Sequence, residues 1–123
     1  MPIIKFFNGK FLIFGWLEND RCPVLEFLQD LKRDGAIDYR KMVARLKLLA
    51  DNGAPSNEEQ CKKLEDDIWE LKAGDGIRIL WFYERERLII CTHGFRKKFQ
   101  KTPPGEIEKA RSILQKYRQE GGV

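Results

Sequence analysis

The stretch Ile68-Trp-Glu-Leu-Lys-Ala-Gly-Asp-Gly-Ile-Arg-Ile-Leu-Trp-Phe-Tyr83, continued by Glu-Arg-Glu-Arg-Leu-Ile-Ile-Cys-Thr-His-Gly-Phe95, has the clearest structural pattern in the chain. Runs rich in β-branched and aromatic residues (68–72, 77–83 and 87–95) are separated by turn residues, first Ala-Gly-Asp-Gly and then Glu-Arg-Glu-Arg. Such short runs favour a pleated, half-buried surface, so the segment predicts a three-stranded antiparallel meander.

Upstream, Pro23 starts a different period. Val24, Leu25, Leu28 and Leu31 recur at helical spacing, Pro23 suits a first helical turn, and Gly35 ends the helix. A second helix follows with Tyr39, Val43, Leu46 and Ala50 on one stripe and Met42 and Leu49 beside it. Its Arg40, Lys41, Arg45 and Lys47 face mostly outward, and Asn52-Gly53 with Pro55 stops it. The pair reads as an antiparallel αα-hairpin. After it, Ser56-Asn-Glu-Glu59 has capping-box spacing but no apolar stripe follows, which predicts a connector with at most a turn of helix.

At the start of the chain, IIKFF and KFLIF flank Asn8-Gly9, a dipeptide suited to a type I′ turn. They form either a hairpin or one strand followed by an irregular segment. Beyond the meander, Thr102-Pro103-Pro104 opens a last helix whose buried stripe is Ile107, Ala110, Leu114 and Tyr117, ending before Gly121-Gly122. Helices and strands are segregated along the chain. The expected class is α+β: an N-terminal strand and a helical hairpin packed on an antiparallel sheet, with a C-terminal helix. There is no internal repeat, low-complexity tract or linker, so residues 1–123 are expected to form a single domain.

The composition, 42% hydrophobic and 34% charged, is that of a globular chain with a well-solvated surface. The apolar start MPIIKFFNGKFLIFGW is cut by Lys5, Asn8, Gly9 and Lys10, so neither a signal peptide nor a membrane span is expected, and a cytoplasmic protein is. Cys22, Cys61 and Cys91 are odd in number, form no CxxC and accompany a single histidine. Buried or incidental thiols are expected in place of a zinc site or disulfides. The net charge of +4 conceals unlike blocks: residues 56–70 hold two cations against six acids, and residues 71–101 eight against three. A basic block of this kind can supply the electrostatic footprint of a nucleic-acid binder, and similar patches occur on proteins that bind none.

Inside that block, a three-residue loop Gly74-Asp75-Gly76 with Gly76 left-handed would set Lys72 across from Arg78 on one face, whereas a two-residue loop would separate them. Adjacent cations are unfavourable unless an anion such as a phosphate lies between them; the alternative is that Arg78 pairs with Glu70 or Glu84. Arg78 is the one charge between Ile77 and Tyr83, and a guanidinium in an apolar strand needs a partner or a cleft. Residues 92–101, Thr-His-Gly-Phe-Arg-Lys-Lys-Phe-Gln-Lys, hold four cations and no acid. Arg96, Lys97, Lys98 and Lys101 leave a strand end, from which two or three of them can reach phosphates. His93, the sole histidine, reads either as a hydrogen-bonded structural residue or as a base kept neutral by nearby cations. No G-x-S-x-G, phosphate loop, metal-ligand cluster or distinctive carboxylate pair is present, so an enzyme here would work with cations, a histidine, hydroxyls or an ordinary carboxylate.

The combination L-E-D-D-I-W-E-L-K (64–72) with R-I-L-W-F (78–82), then L-I-I-C-T-H-G-F-R-K-K (88–98), then Q-K-T-P-x-x-E-I-x-x-A (100–110), resembles the RelE-like toxins of bacterial toxin–antitoxin pairs. It is closest to their phage-derived and HigB-type branch, and the likeness covers about residues 64–117. It implies a RelE-like fold and a small, metal-independent endoribonuclease that uses no cofactor, enters the ribosomal A site and cuts mRNA. A cognate helix-turn-helix antitoxin would restrain it. Basic side chains would hold the scissile phosphate while the 2′-hydroxyl attacks to give a cyclic phosphate. By matching position, the resemblance implies that Arg78 would be the transition-state arginine, that Lys72 stands where an arginine is more usual, and that Lys97 and Lys98 match the downstream basic pair. Arg96 and Lys101 would add RNA contacts. The tyrosine that some relatives carry at the start of the last helix is absent, with Glu108 near that point, which leaves His93, Glu108 or a lysine of lowered pKa as the base. Some relatives poison DNA gyrase and cleave nothing, and a basic RNA- or protein-binding module without catalysis is the remaining alternative.

Overall fold

The computed structural model describes residues 2–65, 67–85, 87–98 and 101–120. In chain order the elements are β1 (Ile3–Asn8), β2 (Leu12–Trp16), α1 (Pro23–Asp34), α2 (Ala36–Asn52), β3 (Cys61–Lys63), β4 (Trp69–Ala73), β5 (Ile77–Arg85), β6 (Leu88–Arg96) and α3 (Pro104–Gln119). The α+β class and the meander β4–β5–β6 are as the sequence predicts. Glu86 in the second turn and the expected helix stop at Gly121-Gly122 lie outside the described residues.

The β4–β5 loop is the three-residue one. Ala73 faces Ile77, and Gly74 and Gly76 both adopt positive φ, +50° and +80°. Lys72 is therefore the cross-strand partner of Arg78. The first two strands do form a hairpin, but Asn8 pairs with Leu12, so the loop is Gly9-Lys10-Phe11 and no type I′ turn forms. The reason is tertiary: the Phe11 amide donates to the Ala50 carbonyl at 2.8 Å, and a Cβ on Gly9 would lie 2.7 Å from the same oxygen. Docking onto the end of α2 overrides the local preference of Asn-Gly.

Among the described residues the strands form one six-stranded sheet of order β1-β2-β6-β5-β4-β3. The sheet is mixed, which corrects the antiparallel expectation, because β2 runs parallel to β6, with Leu12 beside Leu88 and Gly15 beside Cys91. Parallel neighbours need a long crossover, and the chain between them, α1 to β5, supplies it. The connector is also more ordered than expected. Residues 58–60 make only a turn, after which Cys61–Lys63 adds an edge strand with Lys62 opposite Glu70.

Helices cover both faces. One face buries Ile13, Leu71, Ile77, Ile79, Trp81, Ile89 and Cys91 under Val24, Leu28 and Leu31 of α1 and Met42, Leu46 and Leu49 of α2. The α2 stripe is turned slightly from the expected one: Met42 and Leu49 are buried, while Tyr39 and Val43 are only half-buried. The opposite face packs Trp16, Ile68, Leu80, Phe82, Ile90 and Phe95 under Ala110, Ile113, Leu114 and Tyr117 of α3. Coverage on both sides explains why β5 reads as a nearly continuous apolar run in place of an alternating one. By strand alternation Glu70, Lys72 and Arg78 share the α3 face with Leu80 and Phe82. A register shift in β6 lets both faces be filled: Leu80 opposes His93 and Trp81 opposes Cys91, and the Thr92 left between them donates its hydroxyl to the Leu80 carbonyl. Among the described residues no helix is long and apolar enough to cross a membrane.

Candidate functional site: a cationic cleft around a buried carboxylate

Where the α3 face of the sheet meets the first turn of α3, a cleft of about 290 Å³ is lined by Lys62, Lys63, Leu64, Glu70, Lys72, Lys97, Lys101, Thr102 and Ile107. Its cations come from distant parts of the chain. Lys62 sits across from Glu70 on the edge strand, Lys72 belongs to β4, Lys97 follows β6, and Lys101 stands before α3. A larger hollow of about 360 Å³ beside α3 has its charges already matched, Arg111 by Glu65 and Arg118 by Asp67. In the first cleft, by contrast, five lysines line the walls with one carboxylate, so positive charge exceeds negative there.

Arg78 is not among the residues that line this cleft; it lies next to two that do, across from Lys72 and 3.8 Å from Glu70, with its side chain 14% exposed. Its Nη1 donates to the Ile77 carbonyl at 2.9 Å, and its Nε lies 3.8 Å from Glu70 Oε1, near enough for charge attraction but too far for a hydrogen bond. That Nε is buried and has no hydrogen-bond partner. Glu70 is 1% exposed, and its second oxygen accepts the hydroxyl of Thr102. The carboxylate therefore answers the guanidinium on one side and the segment leading to α3 on the other. The alternative of an Arg78–Glu70 pair is realised, and it coexists with the Lys72–Arg78 register.

Lys97 is placed by the hairpin loop. Its amide donates to the Gly76 carbonyl at 2.6 Å, and a Cβ on Gly76 would run into the Lys97 carbonyl oxygen. Only glycine serves there, since the position also has φ +80°. The Lys97 ammonium is held below the usual lysine pKa, first by burial; Glu70 pulls it back up, and Arg78, Lys72 and Lys62 push it further down. Lys97 thus answers to the expected lysine of lowered pKa.

The remaining candidates fall elsewhere. Lys98 is exposed and is not among the residues lining the cleft. Arg96 points to the other face, where Nη1 contacts Asp38 of α2 at 3.3 Å. Arg45 of α2 also turns inward, its Nε donating to the Lys72 carbonyl at 3.1 Å, which steadies β4 from behind. Glu108 is exposed on α3. His93 is 2% exposed, with Nδ1 2.9 Å from the Thr92 hydroxyl and Nε2 3.0 Å from Glu106 Oε1. Burial above all, then Lys109, lowers its pKa from 6.5, while Glu106 opposes them. With Nε2–H of the neutral ring donating to the Glu106 carboxylate, Nδ1 faces the Thr92 hydroxyl, whose single proton is shared between this nitrogen and the Leu80 carbonyl; the geometry fits the structural reading of this residue and fastens β6 to α3.

Lys62, Glu70 and Thr102 belong to the cleft although sequence reasoning did not place them in it. Glu70 was visible as the alternate neighbour of Lys72 on a strand. Lys62 had no such signal, because a three-residue edge strand is too short for periodicity. The cysteines are all buried, and burial raises each thiol, Cys61 to about 12. Among the described residues no three His, Cys, Asp or Glu side chains gather as metal ligands.

An anion with several oxygens suits such a cleft. Lysine ammonium groups supply mobile point charges, and the Arg78 guanidinium lies next to them with its planar set of donors. Among curated protein sequences none matches the chain. Residues 26–115, from α1 to near the end of α3, match the family described as Phage derived protein Gp49-like (DUF891). With most of the helical hairpin, the whole meander and most of the last helix inside that span, the chain belongs to the phage-derived Gp49-like proteins, a family of RelE/HigB-like toxins.

Proposed function

We propose that this protein is the toxin of a toxin–antitoxin pair and blocks translation in the cytoplasm by cutting mRNA on the ribosome. Family membership supports the toxin reading. The observation that carries the cleavage reading is the gathering of Lys62, Lys72, Lys97 and Lys101 in one cleft, with Arg78 across from Lys72 at its side. In this reading the 2′-hydroxyl attacks the adjacent phosphorus and the bond to the 5′-oxygen breaks, leaving a 2′,3′-cyclic phosphate and a 5′-hydroxyl. The 2′-oxygen gives up a proton to a base, and the 5′-oxygen takes one from an acid. Negative charge grows on the phosphoryl oxygens, where Arg78 and Lys72 can meet it; a preorganised donor of this type contributes about 3 kcal/mol to a transition state. Lys97, whose proton is held less firmly than an ordinary lysine's, is suited to protonate the leaving oxygen. Lys101 and the exposed Lys98 would hold RNA beside the cleft. A cognate antitoxin with a helix-turn-helix domain is the expected restraint.

The test is expression of wild type and Arg78→Ala under tight control, with transcript 5′ ends mapped during growth arrest. Wild type should create new 5′-hydroxyl ends inside translated regions, and Arg78→Ala should not. Arrest with intact transcripts and a DNA-damage response would reject the nuclease in favour of a gyrase-directed toxin.

A further inference from the structure

We infer that Glu70 is a positioning residue of the cleft, a buried carboxylate that orients the Arg78 guanidinium with one oxygen and ties the segment leading to α3 with the other. The inference rests on the ribonuclease reading for the meaning of Arg78. It starts from a mismatch: a cleft that only had to attract phosphate would gain nothing from an acid. Glu70 nevertheless stands 1% exposed among cations, opposite Lys62 and beside Lys72. A carboxylate there weakens the pull on an incoming phosphate, so its benefit must lie in geometry.

The geometry supplies that benefit. Oε1 of Glu70 lies 3.8 Å from Arg78 Nε, so charge sets the direction of the guanidinium without using its hydrogen-bonding capacity. Nε is buried and has no hydrogen-bond partner, so the carboxylate fixes the direction of the guanidinium by charge alone. The other oxygen accepts the Thr102 hydroxyl, next in sequence to Lys101. A single carboxylate thus couples the arginine of β5 to the segment that carries another cation of the cleft.

Removing only its charge separates attraction from orientation. With full-length Glu70→Gln, single-stranded RNA should bind about three- to tenfold tighter, because one negative charge has left the cleft. The single-turnover cleavage rate on mRNA-programmed ribosomes at saturating toxin should fall roughly tenfold or more, because Arg78 is no longer aimed. Glu70→Asp should return binding to the wild-type value while recovering only part of the rate. Thr102→Val keeps the charge and should lower the rate without tightening binding. A merely structural role would weaken binding and rate together. The inference is overturned if Glu70→Gln binds RNA more weakly while its urea-unfolding midpoint shows it folded, or if it cleaves at the wild-type rate. Should Glu70→Gln not fold, Glu70→Asp and Thr102→Val decide on the same readouts. If the wild type itself cuts nothing, the nuclease reading fails separately, and the Nε–H nuclear magnetic resonance line of Arg78 decides: slow solvent exchange in wild type that is lost in Glu70→Gln upholds the positioning role, and unchanged exchange rejects it.

Discussion

Replacing Gly76 by alanine perturbs the joint between the hairpin loop and the basic strand end. Two costs add. Gly76 has φ +80°, a left-handed conformation that costs a residue with a Cβ about 1–2 kcal/mol. The new methyl would also meet the carbonyl oxygen of Lys97, a backbone atom that cannot rotate aside, and forcing a group into such a filled space costs about 1–3 kcal/mol. The expected destabilisation is therefore about 3 kcal/mol, which in a domain of this size lowers Tm by about 12 °C. Gly105 is the counterpart: it lies in the first turn of α3 with nothing within 4 Å of an added Cβ, so Gly105→Ala should stabilise by up to about 1 kcal/mol. Urea unfolding of wild type and both variants measures the difference. Because the Lys97 amide is bonded to the Gly76 carbonyl at 2.6 Å, a shift of the loop displaces Lys97, so Gly76→Ala should also weaken RNA binding. A Gly76→Ala protein within about 0.5 kcal/mol of wild type, the ordinary range for a surface change, would refute both the clash and the loop geometry behind it.

Further outcomes concern charge, thiols and pH. Lys62→Ala should flatten the dependence of log Kd on log salt by about 0.7, the share of one phosphate contact with a single strand, and an unchanged slope would remove Lys62 from the site. Cys22, Cys61 and Cys91 should resist a thiol reagent at mild alkaline pH until the protein is unfolded, since all are buried and their ionisation is pushed upward; rapid native labelling would contradict their burial. His93 has a folded pKa below its usual 6.5, so as pH falls through 6.5 the unfolded chain takes up the proton first. The stability contributed by the neutral ring is complete above that pH and is lost as pH falls toward the folded value. Urea midpoints should thus drop more steeply on acidification for wild type than for His93→Gln, and parallel curves would show that His93 does not titrate this way.

The expected elements were legible where local pattern and tertiary demand agreed. Pro23 and Gly35 frame α1, and the paired glycines around Asp75 close the β4–β5 hairpin with Lys72 opposite Arg78. Legibility failed where a distant segment chose between local options. Asn8-Gly9 prefers a two-residue turn, but Ala50 captures the loop. Arg96 and Lys97 are consecutive cations, and strand alternation sends Arg96 toward Asp38 on α2 while Lys97 lines the cleft.

By itself, then, the sequence determined the α+β class, the meander and the concentration of cations after residue 71, because short-range periodicity and turn chemistry are local properties. It also carried the family resemblance that the match over residues 26–115 bears out. Only the tertiary structure decided that β2 runs parallel to β6, that the helices cover both faces, and that Lys62 and Thr102 join Lys72, Arg78 and Lys97 around Glu70. These depend on contacts between segments far apart in the chain. No local rule states which face of a strand will be left open, because that is settled by where the neighbouring helix happens to end.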